Sequence, residues 1–128
     1  GKAIRFANSK DFQEMKEDTL HLLKNIEHMD ISEIVDSIRI FSQKKGMIDD
    51  YLDLMLLWYR DVLMFKVTKD ANLLLYRDRF HDISHQASVH TYESIENILQ
   101  AIDKAKVRLG ANVNFEVTME LMALTMKD

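Results

Sequence analysis

The chain has 128 residues, which suits one domain and is too short for two of ordinary size. It contains no proline, no cysteine and only three glycines, which disfavours a turn-rich β-sandwich and rules out disulfides and cysteine-based zinc sites. Its 17 basic and 21 acidic residues give a net charge of −4, so we do not expect duplex DNA as a direct ligand. The longest apolar stretch is far shorter than the roughly 20 residues of a membrane-spanning helix. This composition is typical of a helical protein of the cytoplasm.

The first helical pattern lies near the amino terminus. Residues 2–7 have the pattern of the end of a helix that begins upstream. Ser9 then offers an N-cap, and apolar residues at helical spacing predict an amphipathic helix over residues 10–28. The first eight residues are therefore expected to belong to a preceding element, and the domain itself to occupy residues 9–128.

The second predicted helix has clear signals at both ends. Asp30 followed by Glu33 has the spacing of a capping box, and an apolar stripe runs from Ile31 to Phe41. The cations and Gly46 that follow predict a helix end with the glycine just beyond it.

The third predicted helix runs from about Asp49 to Lys66 and is apolar over two-thirds of its circumference. A surface helix needs an apolar stripe of only about 100°. Leu57 and Met64 even fall within the charged arc of this helix. We therefore expect a helix that is central or touches another protein, with a partner interface that includes Leu57, Arg60, Asp61 and Met64.

The second half of the chain predicts three more helices. Residues 67–79 have no regular period, and a short helix is expected over residues 80–87. A longer helix capped by Thr91, with Ser88 as the alternative cap, is expected to stop at Gly110. Its terminal cations Lys104, Lys106 and Arg108 are interpreted as a solvated helix end. Asn112 and Asn114 offer caps for a last helix, from Phe115 to about Lys127. That helix has more apolar surface than one face can bury, so we expect Phe115, Leu121 or Met122 to contribute to the partner interface.

The sequence as a whole therefore predicts an all-α fold, a compact bundle of about six helices. We expect the bundle to fold without a bound metal ion. No residue is assigned a catalytic or cofactor-binding role, and no small-molecule substrate is expected.

The segment from His81 to His85 is the strongest candidate for chemistry. Two histidines four residues apart share one face of a helix and could bind zinc, as in metalloproteases. Asp82 stands where the catalytic glutamate would be, and the third ligand has no clear candidate. The His81–Asp82 doublet is also similar to HD-type phosphohydrolases, for which His28 and Asp103 are the nominal partners. A metal-dependent helical hydrolase using His81 and His85 is thus the alternative, and an exposed helical turn is the simpler interpretation.

Three segments resemble, in order, the C-terminal region of the delta-prime subunits of bacterial DNA polymerase III, which are clamp-loader proteins. The segments are GKAIRFA at 1–7, WYRDVLMFK at 58–66 and NVNFEVTMELMALTM at 112–126. The last is the most specific, since it joins two asparagines to a leucine-rich helix with an embedded glutamate. Gamma/tau-type subunits share a domain of this kind and are the alternative within the family.

The resemblance implies a collar, that is, a helical domain that holds five clamp-loader subunits in a ring while attached ATPase modules load the sliding clamp. Residues 1–8 would then be the end of the lid helix of the preceding module, and residues 9–128 the collar. The implied partners are gamma/tau and delta subunits, with DNA reached only through the complex. The domain would not itself be an enzyme, although the holoenzyme is a DNA-directed DNA polymerase, a nucleotidyltransferase of the bacterial cytoplasm.

Overall fold

The computed structural model describes residues 9–43 and 45–127, and within these ranges the chain is all-α. These residues form six α-helices and contain no strand, and short 3₁₀ turns lie in the connections between the first four helices. The helices are α1 Ser9–Asn25, α2 Ile31–Ser42, α3 Ile48–Thr68, α4 Phe80–Val89, α5 Tyr92–Gly110 and α6 Phe115–Lys127. The predicted six-helix bundle is confirmed. The expectation for residues 1–8 lies outside the described residues.

Helix α3 forms the centre of the bundle. It packs against α1, α4 and α5, while α6 packs on α2 and α5. Its aromatic side chains Tyr51, Trp58 and Tyr59 are completely buried. The apolar excess that the sequence shows around this helix is therefore used mainly inside the domain. None of the helices in the described part of the chain is both long and apolar enough to cross a membrane.

A buried polar link joins three helices through Gln86. The indole Nε1 of Trp58 on α3 donates to Gln86 Oε1 on α4 over 3.1 Å. The Gln86 amide Nε2 in turn donates to the backbone oxygen of Leu23 on α1 over 2.6 Å. Because a buried donor without an acceptor is costly, this link fixes the register of α4 against its two neighbours.

Asp61 is predicted to lie at a partner interface, but in the structure its side chain is buried and holds a backbone segment of the same chain. The side chain is only 3% exposed, and its two carboxylate oxygens accept hydrogen bonds from the backbone N–H groups of Leu75 (3.0 Å) and Tyr76 (2.7 Å). Burial raises the pKa of this carboxyl, and the two backbone N–H groups partly lower it. The irregular segment between α3 and α4 covers the side of α3 on which Asp61 lies, so this carboxylate is not available to a partner.

The predicted N-caps of α2, α5 and α6 are present in the structure. The Asp30–Glu33 capping box is present, Thr91 caps α5, and Asn114 Oδ1 accepts from the N–H of Val117 at the start of α6. The predicted end of α5 at Gly110 is confirmed, whereas the predicted glycine end of α2 is wrong, because α2 already ends at Ser42. Gly46 lies in a 3₁₀ turn that leads into α3, and Gly110 is the last residue of α5 but does not have a positive φ.

Within the described ranges, two non-glycine residues take the left-handed backbone conformation. Lys69 follows α3 with a φ of 58°, and Asn112 follows α5 with a φ of 61°. Asparagine tolerates this conformation better than most residues, so Asn112 turns the chain where the glycine was expected to.

Candidate interaction surface

An exposed apolar stripe follows α6 for two turns. Val117, Leu121 and Leu124 are 52%, 48% and 41% exposed, and their i, i+4, i+7 spacing places them on one face of the helix. Met119, Met122 and Met126 of the same helix are buried against the bundle. Single exposed apolar residues are common, but three in line on one helix form a ridge that a partner protein can cover.

A groove between α5 and α6 borders this stripe. It has a volume of about 370 Å³, and Leu121 contributes to its wall from α6. From α5 it is lined by the cationic side chains of Lys104 and Arg108, together with the amides of Asn97 and Gln100. The surface therefore combines apolar area with positive charge, which fits a partner segment that carries apolar and acidic side chains.

Only two of the three clustered cations of α5 face the groove. Lys106 lies between the two groove cations in sequence, but it forms an ion pair with Asp53 of α3. Lys104 and Arg108 are instead exposed on the groove side of α5. The basic cluster is interpreted from the sequence as one solvated helix end. In the structure, one of its cations forms an ion pair with α3, and the other two line the groove.

The predicted interface residues of α3 are not all exposed. Met64 is 44% exposed and Arg60 is exposed, so both are accessible to a partner. Leu57 is half-buried and packs against the core. Asp61 is buried, as described above. The exposed part of α3 is consequently a smaller patch than the helical wheel predicts.

The predicted residues of α6 also separate into two groups. Leu121 is exposed and Phe115 is half-buried, whereas Met122 lines the α5–α6 groove but is only 2% exposed and offers a partner little surface. Met122 faces the bundle because it follows Met119 by three residues on the buried side of the helix. Sequence reasoning missed Val117 and Leu124, although their spacing from Leu121 was a usable signal.

Among the described residues, the two histidines of the predicted metal motif do not belong to one group of three possible metal ligands. His81 packs against the ring of Phe80, with ring centroids 4.2 Å apart. His85 instead contacts Glu27 and lies near His28, which belong to the turn after α1. Among the described residues this group of possible metal ligands contains neither His81 nor Asp103, so neither of the predicted hydrolase ligand sets is assembled.

The fold defines the chain as an all-α helical domain, with an exposed apolar stripe on α6 beside a groove lined by two cations. The chain is 35% identical over 95 residues, or 74% of its length, to the DNA polymerase III subunit delta' of Bacillus subtilis (strain 168). The matched part is 29% of that relative, so the chain spans less than a third of its length. No family model and no solved structure matches the chain. The similarity supports a relationship with the delta'-related clamp-loader family.

Proposed function

We propose that residues 9–128 form the collar domain of a delta-prime-type subunit of a bacterial clamp loader. The domain would hold its subunit in a pentameric ring with gamma/tau and delta subunits, and so serve DNA replication without chemistry of its own. The similarity to the delta' subunit of Bacillus subtilis supports the family. The exposed stripe on α6 is the main support for a function in association, because the folded bundle leaves this apolar surface in contact with water.

The stripe and the groove have different parts in this association. Fully burying an aliphatic side chain contributes about 1.5–3 kcal/mol, and the stripe residues are already about half covered. Covering Val117, Leu121 and Leu124 would then contribute about 2–4 kcal/mol, which corresponds to a factor of about 30 to 1,000 in affinity. Lys104 and Arg108 beside them would favour a neighbour with acidic side chains and disfavour a basic one.

The hydrolase alternative has no support from the geometry. Among the described residues, no group of three possible metal ligands contains both His81 and His85, and the cluster that contains His85 includes no second residue of the His81–His85 segment. The gamma/tau alternative remains within the same proposed function, since a collar of that type would also associate through exposed helix faces.

A competition experiment separates these possibilities. The clamp-loader subunits of the source organism would be assembled in the presence of excess 128-residue chain, and the resulting complexes separated by size and analysed by mass. We expect the chain to be incorporated and to displace the full-length delta-prime subunit. Displacement of gamma/tau in its place would favour the alternative identity. Recovery of intact rings without the chain would contradict a collar function.

A further inference from the structure

We propose that Glu27, His28 and His85 form a binding site for one zinc-type divalent ion, which would link the end of α1 to α4. Glu27 and His28 belong to the 3₁₀ turn Ile26–His28, and His85 lies near the middle of α4. One ligand atom from each of the three side chains lies within 4.8 Å of the others. The site is distinct from the α5–α6 groove and does not depend on the collar proposal.

The distances are close to those that a tetrahedral ion needs. Zinc binds imidazole nitrogen and carboxylate oxygen at about 2.0–2.2 Å, so neighbouring ligands of a tetrahedral ion lie about 3.3 Å apart. His28 Nε2 is 3.4 Å from Glu27 Oε1, which matches that separation. His85 Nε2 is 2.7 Å from the same oxygen, so this pair must open by about 0.6 Å to admit an ion. The His28 and His85 side chains are 76% and 55% exposed, which leaves them free to make this adjustment.

The donor set selects the class of ion. Two imidazoles and one carboxylate suit zinc, cobalt or nickel, whereas calcium and magnesium prefer oxygen ligands throughout. Three protein ligands leave a fourth position for water. The exposure of both histidines keeps that position accessible to solvent.

The backbones that carry the ligands are held in place by buried neighbours. Gln86, next to His85, is fixed by its hydrogen bonds to Trp58 and Leu23. Ile26, next to Glu27, is 2% exposed, and the amino group of Lys127 donates to the Glu27 backbone oxygen over 3.2 Å, so it holds the backbone and not the carboxylate. A site with anchored backbones and adjustable side chains loses little on binding, because only the rotamers of the ligands must be fixed.

The test is a zinc titration of the 128-residue chain by calorimetry after removal of any affinity tag, repeated with Co²⁺ and followed by visible absorption. His28→Ala, His85→Ala and Glu27→Gln remove one ligand each. The control is His81→Ala, because His81 is an exposed histidine one turn from His85 on the same helix but outside the cluster. Circular dichroism establishes that every variant is folded.

We expect one Zn²⁺ per chain for the unmodified protein and for His81→Ala, with an absorption band of tetrahedral Co²⁺. Each ligand variant should weaken binding by about tenfold or more, since even the loss of an outer-shell partner costs about 10–100-fold. The thermal midpoint should rise with added Zn²⁺ in the unmodified protein and not in His85→Ala. The proposal is overturned if the unmodified chain binds no Zn²⁺, or if His28→Ala and His85→Ala bind it as tightly as His81→Ala does.

Discussion

Replacing Gln86 by leucine tests the buried link between α1, α3 and α4. The substitution preserves the approximate volume and removes both hydrogen bonds, so the Trp58 indole N–H and the Leu23 carbonyl each lose a partner inside the protein. An orphaned buried group costs about 1–3 kcal/mol. The new aliphatic side chain restores some apolar packing, and we therefore expect a net loss of about 2–4 kcal/mol of unfolding free energy.

This loss should be measurable without abolishing the fold. A domain of 128 residues is expected to have an unfolding free energy of about 6–19 kcal/mol. Urea denaturation followed by circular dichroism gives the difference directly, and Trp58 is the only tryptophan, so its fluorescence reports the same region. Gln13→Leu is the matched control, because Gln13 is exposed on α1 and should change stability little.

A double-mutant cycle with Trp58→Phe isolates the hydrogen bond. Phenylalanine has no donor, so Gln86→Leu should cost about 1–3 kcal/mol less in the Trp58→Phe background than in the unmodified protein. If Gln86→Leu unfolds at the same urea concentration as Gln13→Leu, or if the two substitutions are strictly additive, the link does not stabilise the bundle and the reasoning is refuted.

Three further predictions concern other elements of the bundle. Asp61→Ala removes the acceptor of the backbone N–H groups of Leu75 and Tyr76, so the unfolding free energy should fall by about 2–4 kcal/mol. Proteolysis within residues 70–79 should also become faster, and an unchanged cleavage rate would contradict this prediction. Asp30→Ala removes the N-cap of α2 and should cost about 1 kcal/mol in urea denaturation, and a loss of zero would show that the capping box is not effective in solution. Burial lowers the pKa of His90, Glu27 acts against this shift, and His85 and Lys66 act in the same direction as burial. The neutral imidazole therefore stabilises the fold above about pH 6.5, and this contribution to the unfolding free energy is lost as the pH falls towards the lowered pKa of the folded state. Unfolding measured across this range should show a smaller acid-dependent loss in His90→Gln, and equal slopes for both proteins would contradict the assignment.

The helices and the central position of α3 could be predicted because they depend on local patterns. The apolar residues of α3 recur around most of its circumference, and only a helix surrounded by neighbours can bury such a pattern. The capping signals at Asp30, Thr91 and Asn114 are also local, since each acts on a backbone N–H three residues away.

The role of Asp61 could not be predicted in the same way. A helical wheel places this residue in a charged arc, and charged arcs usually face water. The structure covers that side of α3 with a segment 14 and 15 residues further along the chain, whose backbone donors need an acceptor. No periodicity shows where an irregular segment returns to the bundle. The group formed by Glu27, His28 and His85 was missed for the same reason, because α1 and α4 meet only in the folded chain.

The exposed stripe on α6 could be predicted only in part from the sequence. The spacing of Val117, Leu121 and Leu124 is visible in the sequence, but the buried methionines of the same helix give an equally apolar pattern. Only the packing of α6 against α2 and α5 decides which face stays exposed. The sequence therefore identified the helix with surplus apolar surface but included Met122, which lies on its buried side.

The affinity of the chain for its clamp-loader neighbours, measured for a double substitution on the α6 stripe, tests the central claim most directly. Leu121→Ser with Leu124→Ser removes the two larger side chains of the stripe, and Ile40→Ser is the control, because it removes a similarly exposed aliphatic side chain from the groove between α1 and α2. The immobilised chain and its variants would be titrated with the gamma/tau and delta subunits of the source organism. We predict that the double substitution weakens binding about tenfold or more while the thermal midpoint changes little, and that Ile40→Ser binds as the unmodified chain does. Equal affinity of the double variant and the unmodified chain would contradict association through α6.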